Sequence, residues 1–203
     1  MKRSVFFTSD WHLYHQNVLS FSKRPFKDIH HMHRVLINNY NSTVPENGLC
    51  YFLGDVGFSD KEKTKEIISQ LNGKKILLMG NHDKGMYSFQ QVFDAVIYTA
   101  SLVIAKQIVT MSHCPLHGIK REDTSRFKNG NPAEYWHGEL RPKFKPLIVS
   151  NAGQFHLHGH IHSPNGGKSE VKLGRQWDVG VDGNNYTPVS ISQVESWIVR
   201  NKS

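Results

Sequence analysis

Three short apolar segments, Ser4 to Ser9, Leu49 to Leu53 and Lys75 to Met79, alternate with stretches of helical period. This alternation constrains the fold more than any other feature. Each segment is too short for a buried helix and is rich in aliphatic or aromatic residues, so each reads as a buried strand. Between them, Val35, Leu36 and Tyr40 share one face of a helix over His33 to Tyr40. Ile67, Ile68 and Leu71 do the same over Lys61 to Leu71, where Asn72-Gly73 stops the helix. A short helix is expected over Met86 to Val92. The order β-α-β-α-β predicts a parallel sheet covered by helices.

The texture then changes. Ala95 to Tyr98, Leu102 to Ala105 and Ile108 to Ser112 read as successive strands, the last two joined by a tight turn at Lys106-Gln107. Such hairpins predict antiparallel pairing and a second sheet. Residues 118–146 are polar and interrupted by Pro132, Pro142 and Pro146. A loop of that length in a compact domain is usually functional or mobile. Strand texture returns at Leu147 to Val149, Phe155 to His158 and Trp177 to Val181. Ser190 to Ile198 reads as a closing helix, with Ser190 and Gln193 in capping-box spacing. There is no repeat and no linker, so residues 1–203 are expected to form one domain.

Composition excludes several classes. A chain of 203 residues can bury roughly 70 % of its unfolded surface without a disulfide staple. Cys50 and Cys114 are the only cysteines. That is too few for a disulfide framework or a thiolate zinc site, and both are read as small buried apolar residues. The apolar start ends at Asp10, short of the roughly 7 to 15 apolar residues of an export signal. No run approaches the roughly 18 apolar residues of a membrane span. A soluble cytoplasmic protein is the expectation. The 25 Lys and Arg against 17 Asp and Glu leave a charge of +8, which favours anionic partners. Thirteen histidines are a surplus that suggests metal or proton chemistry.

Chemistry concentrates just after the strands. The first is followed by Asp10-Trp11-His12, the second by Gly54-Asp55 and the third by Gly80-Asn81-His82-Asp83. The Ile108 strand is followed by His113, and the Phe155 strand by Gly159-His160-Ile161-His162. Strand carboxyl ends form one ligand-binding rim in α/β sheets, so the fold should gather these groups. Oxygen and imidazole ligands without thiolate suit manganese, iron, zinc or nickel. The set is too large for one ion with open positions and suits two ions if a carboxylate bridges them. In extended segments residues i and i+2 face the same way, so Asp10 with His12 and His160 with His162 are expected to converge.

This ordered series resembles the calcineurin-like metallophosphoesterase superfamily, and within it the small bacterial and phage-type members without a cap domain. The motifs run from residue 10 to residue 162. Ile161 departs from a small hydroxyl residue common between the two histidines, which touches only an outer contact. The resemblance implies a four-layer α-β-β-α sandwich of two mixed sheets flanked by helices, with residues 118–146 as a basic loop over the active site. It implies that Asp10, His12 and His162 hold one metal and Asn81, His113 and His160 the other, with Asp55 bridging. Manganese is the first expectation, with iron, zinc, nickel or magnesium as alternatives. Two ions about 3.5 to 4 Å apart would generate a bridging hydroxide that attacks a phosphate ester. His82, with Asn81 beside it, would contact the scissile phosphate and protonate the leaving oxygen, and Asp83 would orient His82. The expected substrate is a nucleotide or another small phosphorylated molecule. A nuclease acting on DNA or RNA and a non-catalytic binding scaffold are the alternatives.

Other residues are assigned by position. His15, Asn17 and Arg24 are expected to line the pocket, and His117 and His137 to flank the long loop. That loop carries Lys120, Arg121, Arg126, Lys128, Arg141, Lys143 and Lys145 with Phe127, Tyr135 and Trp136. Arg121 and Arg126 are its expected phosphate contacts, and its aromatics can stack a base. His156 is read as turned away from the site and His158 as lying beneath the metals. His30, His31 and His33 receive no functional role.

Overall fold

The computed structural model describes residues 4–83, 86–116, 135–136, 139–140, 149–150, 152–162, 172–173 and 175–201. Four parallel strands build the first sheet: β1 (Val5–Thr8), β2 (Leu49–Phe52), β3 (Lys74–Leu78) and β4 (Ala95–Ile97). A second sheet begins with the hairpin β5 (Ala100–Ile104) and β6 (Gln107–Met111). A short antiparallel pair, β7 (Tyr135–Trp136) and β8 (Glu139–Leu140), stands apart from both. β9 (Phe155–His158) runs parallel to β6 and to β11 (Gln176–Asp178), and β10 (Lys172–Leu173) closes that edge antiparallel to β11. β12 (Val189–Ser190) returns to the first sheet, antiparallel to β1. The sheets are ordered β12-β1-β2-β3-β4 and β10-β11-β9-β6-β5. The chain is thus a mixed α/β sandwich of two mixed sheets.

Period-2 alternation decides which side chains enter which core. Phe6, Cys50, Phe52 and Leu77 face α2 (Ile29–Thr43) and α3 (Lys61–Ser69), whose Met32, Leu36, Tyr40, Ile67 and Ile68 cover them. Their neighbours Phe7, Tyr51, Leu53 and Leu78 face Val109, Met111, Phe155, Leu157 and Trp177 of the second sheet. α4 (Ile191–Arg200) adds Val194, Trp197 and Ile198 to this inter-sheet core. α1 (Val18–Phe21) is a single turn that leads away from the end of β1.

Local signals explain most boundaries. α2 starts earlier than its apolar spacing suggests because Asp28 caps it, accepting from His31 N at 2.7 Å. Asp60 caps α3 in the same way, and the Ser190–Gln193 capping box on α4 forms as expected. Met86–Gln91 is a 3₁₀ turn. Three expectations change. The Ala95 strand pairs parallel with β3 and stays in the first sheet, because its register continues the βα pattern. The β5–β6 turn falls at Ala105-Lys106, both at positive φ (50° and 62°), a two-residue turn without the usual Asn-Gly. Trp177 to Val181 is cut short as a strand, because Val181–Gly183 turns into a 3₁₀ segment. Leu147 and Ile148 lie outside the described residues.

Candidate metal centre

The centre is built by continuing the strand ladders past their ends. Asp10 N donates to Gly54 O at 3.0 Å and His12 N to Asp55 O at 2.9 Å, so the loops after β1 and β2 stay in register. Each carboxylate then spends one oxygen on a backbone amide. Asp10 Oδ2 accepts from His160 N and Asp55 Oδ1 from His82 N, each at 2.9 Å. The other oxygen of each is left facing the histidines. Asp55 Oδ2 lies 3.5 Å from His12 Nε2 and 3.4 Å from His113 Nε2. Asp10 Oδ1 is buried and has no hydrogen-bond partner. It lies 3.9 Å from His12 Nε2 and 3.7 Å from His162 Nε2, and those two nitrogens are 3.1 Å apart.

An orphaned carboxylate oxygen among converging imidazole nitrogens is a donor set lacking its acceptor. Two groups could each hold a metal ion: Asp10, His12 and His162, and Asp55, His113 and His160. Within each, one ligand atom per residue lies within 4.8 Å of the others. Asn81 joins the second, its Oδ1 lying 3.0 Å from His113 Nε2. The seven expected ligands are therefore brought together.

The backbone is held in unusual conformations to do this. Asp10, His12, Asp55, His160 and His162 all have left-handed φ, from 45° to 72°. That region is costly for side-chain-bearing residues and clusters at functional sites. The expectation that Asp10 with His12, and His160 with His162, converge through extended backbone is therefore corrected. Left-handed turns aim them. Glycine supplies the remaining space. Gly54 has φ 90°, and a Cβ there would come within 2.6 Å of His113 Nδ1. A Cβ on Gly80 would collide with the Asp55 carboxylate, and one on Gly159 with that of Asp10.

Outer contacts set ring orientation and charge. His113 Nδ1 donates to Leu53 O at 2.7 Å, which leaves Nε2 for the centre. Burial disfavours the charged ring of His113, but the Asp55 carboxylate overrides it and lifts the pKa to about 10. Asp55 shows the reverse. Burial would raise its carboxyl, yet His113, His12 and His82 hold it well below the ordinary range. His162 Nδ1 faces Asp182 Oδ2 at 2.8 Å and Ser22 Oγ at 3.0 Å. Asp182 in turn accepts from Arg24 Nε and Nη2, each at 2.7 Å. Despite its burial, His162 and Arg24 hold Asp182 at a pKa of about 2.

Several assignments change. Arg24 does not line the pocket. It is buried, pairs with Asp182 and donates to the Asp10 and Trp11 carbonyls, because a buried guanidinium needs all its donors satisfied. Asp83 does not orient His82. Its Oδ2 accepts from Asp55 N and Gly80 N, both at 2.8 Å, and its Oδ1 from Val56 N at 3.0 Å. Burial and then the Asp55 charge push its pKa up to about 7. Asn17 is exposed ahead of α1 and its side chain makes no cap. His156 and His158 point the same way and stack at 5.9 Å, as residues two apart in a strand must. His156 is buried against Thr110, Ser112 and the Cys114 carbonyl. His33 is a core residue whose Nε2 accepts from Tyr14 N at 3.1 Å. Both cysteines are buried, and neither forms a disulfide among the described residues.

His15 does reach the site, with its Nδ1 3.1 Å from His12 Nδ1. His82 stands at the mouth, its side chain 38 % exposed and its Nε2 3.9 Å from Asp55 Oδ2. His117, Arg121, Arg126 and His137 lie outside the described residues. Asp182 and Asp178 were not anticipated. A signal existed, because Asp178 ends β11 as Asp10 and Asp55 follow β1 and β2.

Fold and site together define an α/β sandwich that gathers two adjoining Asp/His clusters able to hold metal ions. No protein-family model matches the chain. It is 37% identical over 84 residues to an uncharacterized protein of Methanocaldococcus jannaschii, a match spanning 40% of this chain and 48% of that protein. The match thus spans about half the length of that curated relative. The fold is similar to the crystal structure of a protein of unknown function from Aquifex aeolicus, with a TM-score of 0.69 at 24% identity. That likeness covers 97% of this chain and all of the other. No described helix is long and apolar enough to cross a membrane.

Proposed function

We propose that the chain is a dinuclear metal-dependent phosphoesterase of the calcineurin-like kind, acting on a nucleotide or another small phosphorylated molecule. The observation that carries this reading is the position of Asp55 Oδ2, 3.5 Å from His12 Nε2 and 3.4 Å from His113 Nε2. A single carboxylate oxygen between two ligand clusters is what a shared pair of ions requires. Asp10, His12 and His162 would hold one ion, Asn81, His113 and His160 the other, and Asp55 both. Manganese is the first expectation for imidazole and carboxylate ligands, with iron, zinc, nickel or magnesium as alternatives.

When bound, such a pair supplies Lewis acidity toward phosphoryl oxygens and a water of lowered pKa. The chain's own residues do the rest. Leu53 O and Asp182 fix the rings of His113 and His162, so little reorganisation is needed when a phosphate arrives. His82 is tethered by its backbone N–H to Asp55 Oδ1, while its ring stands at the mouth. From there its ring can carry a proton to the oxygen of the leaving group. A nuclease is the second reading, favoured by the charge of +8. Steep weakening of binding by added salt would favour it.

The test is metal analysis of protein loaded with manganese, paired with hydrolysis of bis-p-nitrophenyl phosphate. Two equivalents of bound metal and metal-dependent turnover are expected. His82→Ala should keep both ions and lose most turnover. Metal content no higher than in an Asp10→Ala, Asp55→Ala double variant, with no hydrolysis under any of the five metals, would overturn the reading.

A further inference from the structure

Aromatic rings that neither cluster needs wall the mouth of the centre. Phe21, at the end of α1, and Phe58, beyond the Asp55 loop, are 54% and 47% exposed. His15 links them. Its ring stacks on Phe58 with centroids 3.9 Å apart and planes within 9°, and it lies 5.5 Å from Phe21. Phe58 is also 5.2 Å from the His82 ring, while Phe21 is 5.4 Å from His162 and 6.2 Å from His12. One exposed ring thus neighbours the ligand histidines and the other neighbours His82.

Exposing large apolar rings forgoes burial free energy, and rings clustered beside convergent polar groups mark a ligand contact. Here the polar half is the Asp/His centre, which suits a phosphate. The group beyond the ester oxygen, on the side of His82, meets Phe58. His15 holds that ring by a near-parallel stack, so Phe58 is oriented before anything binds and loses little freedom on binding. Stacking on a phenyl face demands a planar, π-rich group and takes no account of its hydrogen-bonding edge.

We propose that Phe58, backed by His15, and Phe21 form a stacking subsite for a nucleobase, so that the substrate is a nucleotide rather than a sugar or polyol phosphate. The phosphate half of this assignment rests on the phosphoesterase reading. The base half rests on the rings alone. Because stacking tolerates every base, discrimination among bases is weak.

Equilibrium binding to the manganese-loaded protein tests it. Adenosine monophosphate and ribose 5-phosphate share the phosphate ester and differ in the base. The nucleotide should bind at least about tenfold more tightly, the scale of one base–aromatic stack. The guanosine, cytidine and uridine monophosphates should bind within a few-fold of it. A Phe21→Ala, Phe58→Ala double variant should bring the two ligands together by weakening the nucleotide alone. Phe58→Leu, which keeps apolar bulk without a π face, should lie between. Equal affinities in the unaltered protein, no nucleotide binding, or equal weakening of both ligands by the double variant would overturn the subsite. A binding contrast with metal content no higher than in the Asp10→Ala, Asp55→Ala double variant and no hydrolysis of bis-p-nitrophenyl phosphate under any of the five metals would sink the hydrolase reading and leave the subsite standing.

Discussion

The Asp10 side of the centre is tied together by side chains, and the Asp55 side by backbone. On the Asp10 side a chain of charge runs from Arg24 to Asp182 to His162, joining residues 158 apart in sequence. Arg24 also donates to the Asp10 carbonyl at 2.6 Å, so one guanidinium braces two of the three members of the cluster. On the Asp55 side, Leu53 O fixes His113, and Asp83 gathers the amides of Asp55, Val56 and Gly80. The first arrangement sets ring orientation through a few charged groups. The second sets it through the path of the chain itself. Changes on the Asp10 side should therefore act on metal affinity as well as on the fold, and changes on the Asp55 side chiefly on the fold.

The largest effect tests what the two sides share. Asp55→Ala removes an oxygen that faces both clusters. Hydrolysis of the activated diester should fall to background, and metal titration should show weakening on both sides. Retention of full activity with intact folding would dissolve the idea of a shared ligand.

The next separates the sides. Asp182→Ala leaves the buried Arg24 without its partner. Breaking a buried ion pair costs about 3–5 kcal/mol, and losing an outer partner of a ligand histidine weakens metal binding about 10- to 100-fold. Urea unfolding and metal titration read the two effects, and the metal loss should be confined to one of two equivalents. Asp83→Asn should act mainly on the fold. It replaces an oxygen that faces an amide with a second donor, costing about 1–3 kcal/mol. Metal affinity should change less than in Asp182→Ala. Matching losses of affinity in the two variants would erase the contrast.

Much of this was legible in sequence, for identifiable reasons. β1, β2 and β3 are short and buried on both faces, so their apolar runs stand out and their ends can be found. The candidate ligands lie just past those ends and past the ends of β6 and β9, each within a few residues of a strand terminus. The Ser190–Gln193 capping box is equally local. What depends on tertiary placement was not legible. Asp and His tolerate left-handed backbone better than most residues, but no local pattern requires it at Asp10, His12 or His162. Arg24, beside a pocket in sequence, is turned inward by Asp182, and no local pattern links the two. Asp83 was read toward its neighbour His82, although its partners lie across the sheet in the Asp55 loop. Asp178 and Asp182 were missed for a plainer reason, since the rule applied to five strand ends extends to the end of β11.

The smallest effect is near zero at neutral pH and appears only on acidification. His33 braces the Asp10 side, accepting from the backbone N–H of Tyr14 in the turn that follows His12. Only a ring with an unprotonated Nε2 can accept there. Burial, and then the nearby His30, push the pKa of His33 from 6.5 down to about 4. A lowered folded-state pKa means that the unfolded chain takes up this proton first. The contribution of His33 is therefore complete above pH 6.5 and is lost as pH falls from there toward about 4, below which both states are protonated. In His33→Gln the amide oxygen can still accept from Tyr14, but it does not titrate. Urea unfolding in steps from pH 7 downward should give similar stabilities at the start. The two profiles should then diverge, the unaltered protein falling by up to one proton's worth of slope more. Parallel profiles would mean that the ring's neutrality contributes nothing, and the Asp10 side would then be held by Arg24 and Asp182 alone.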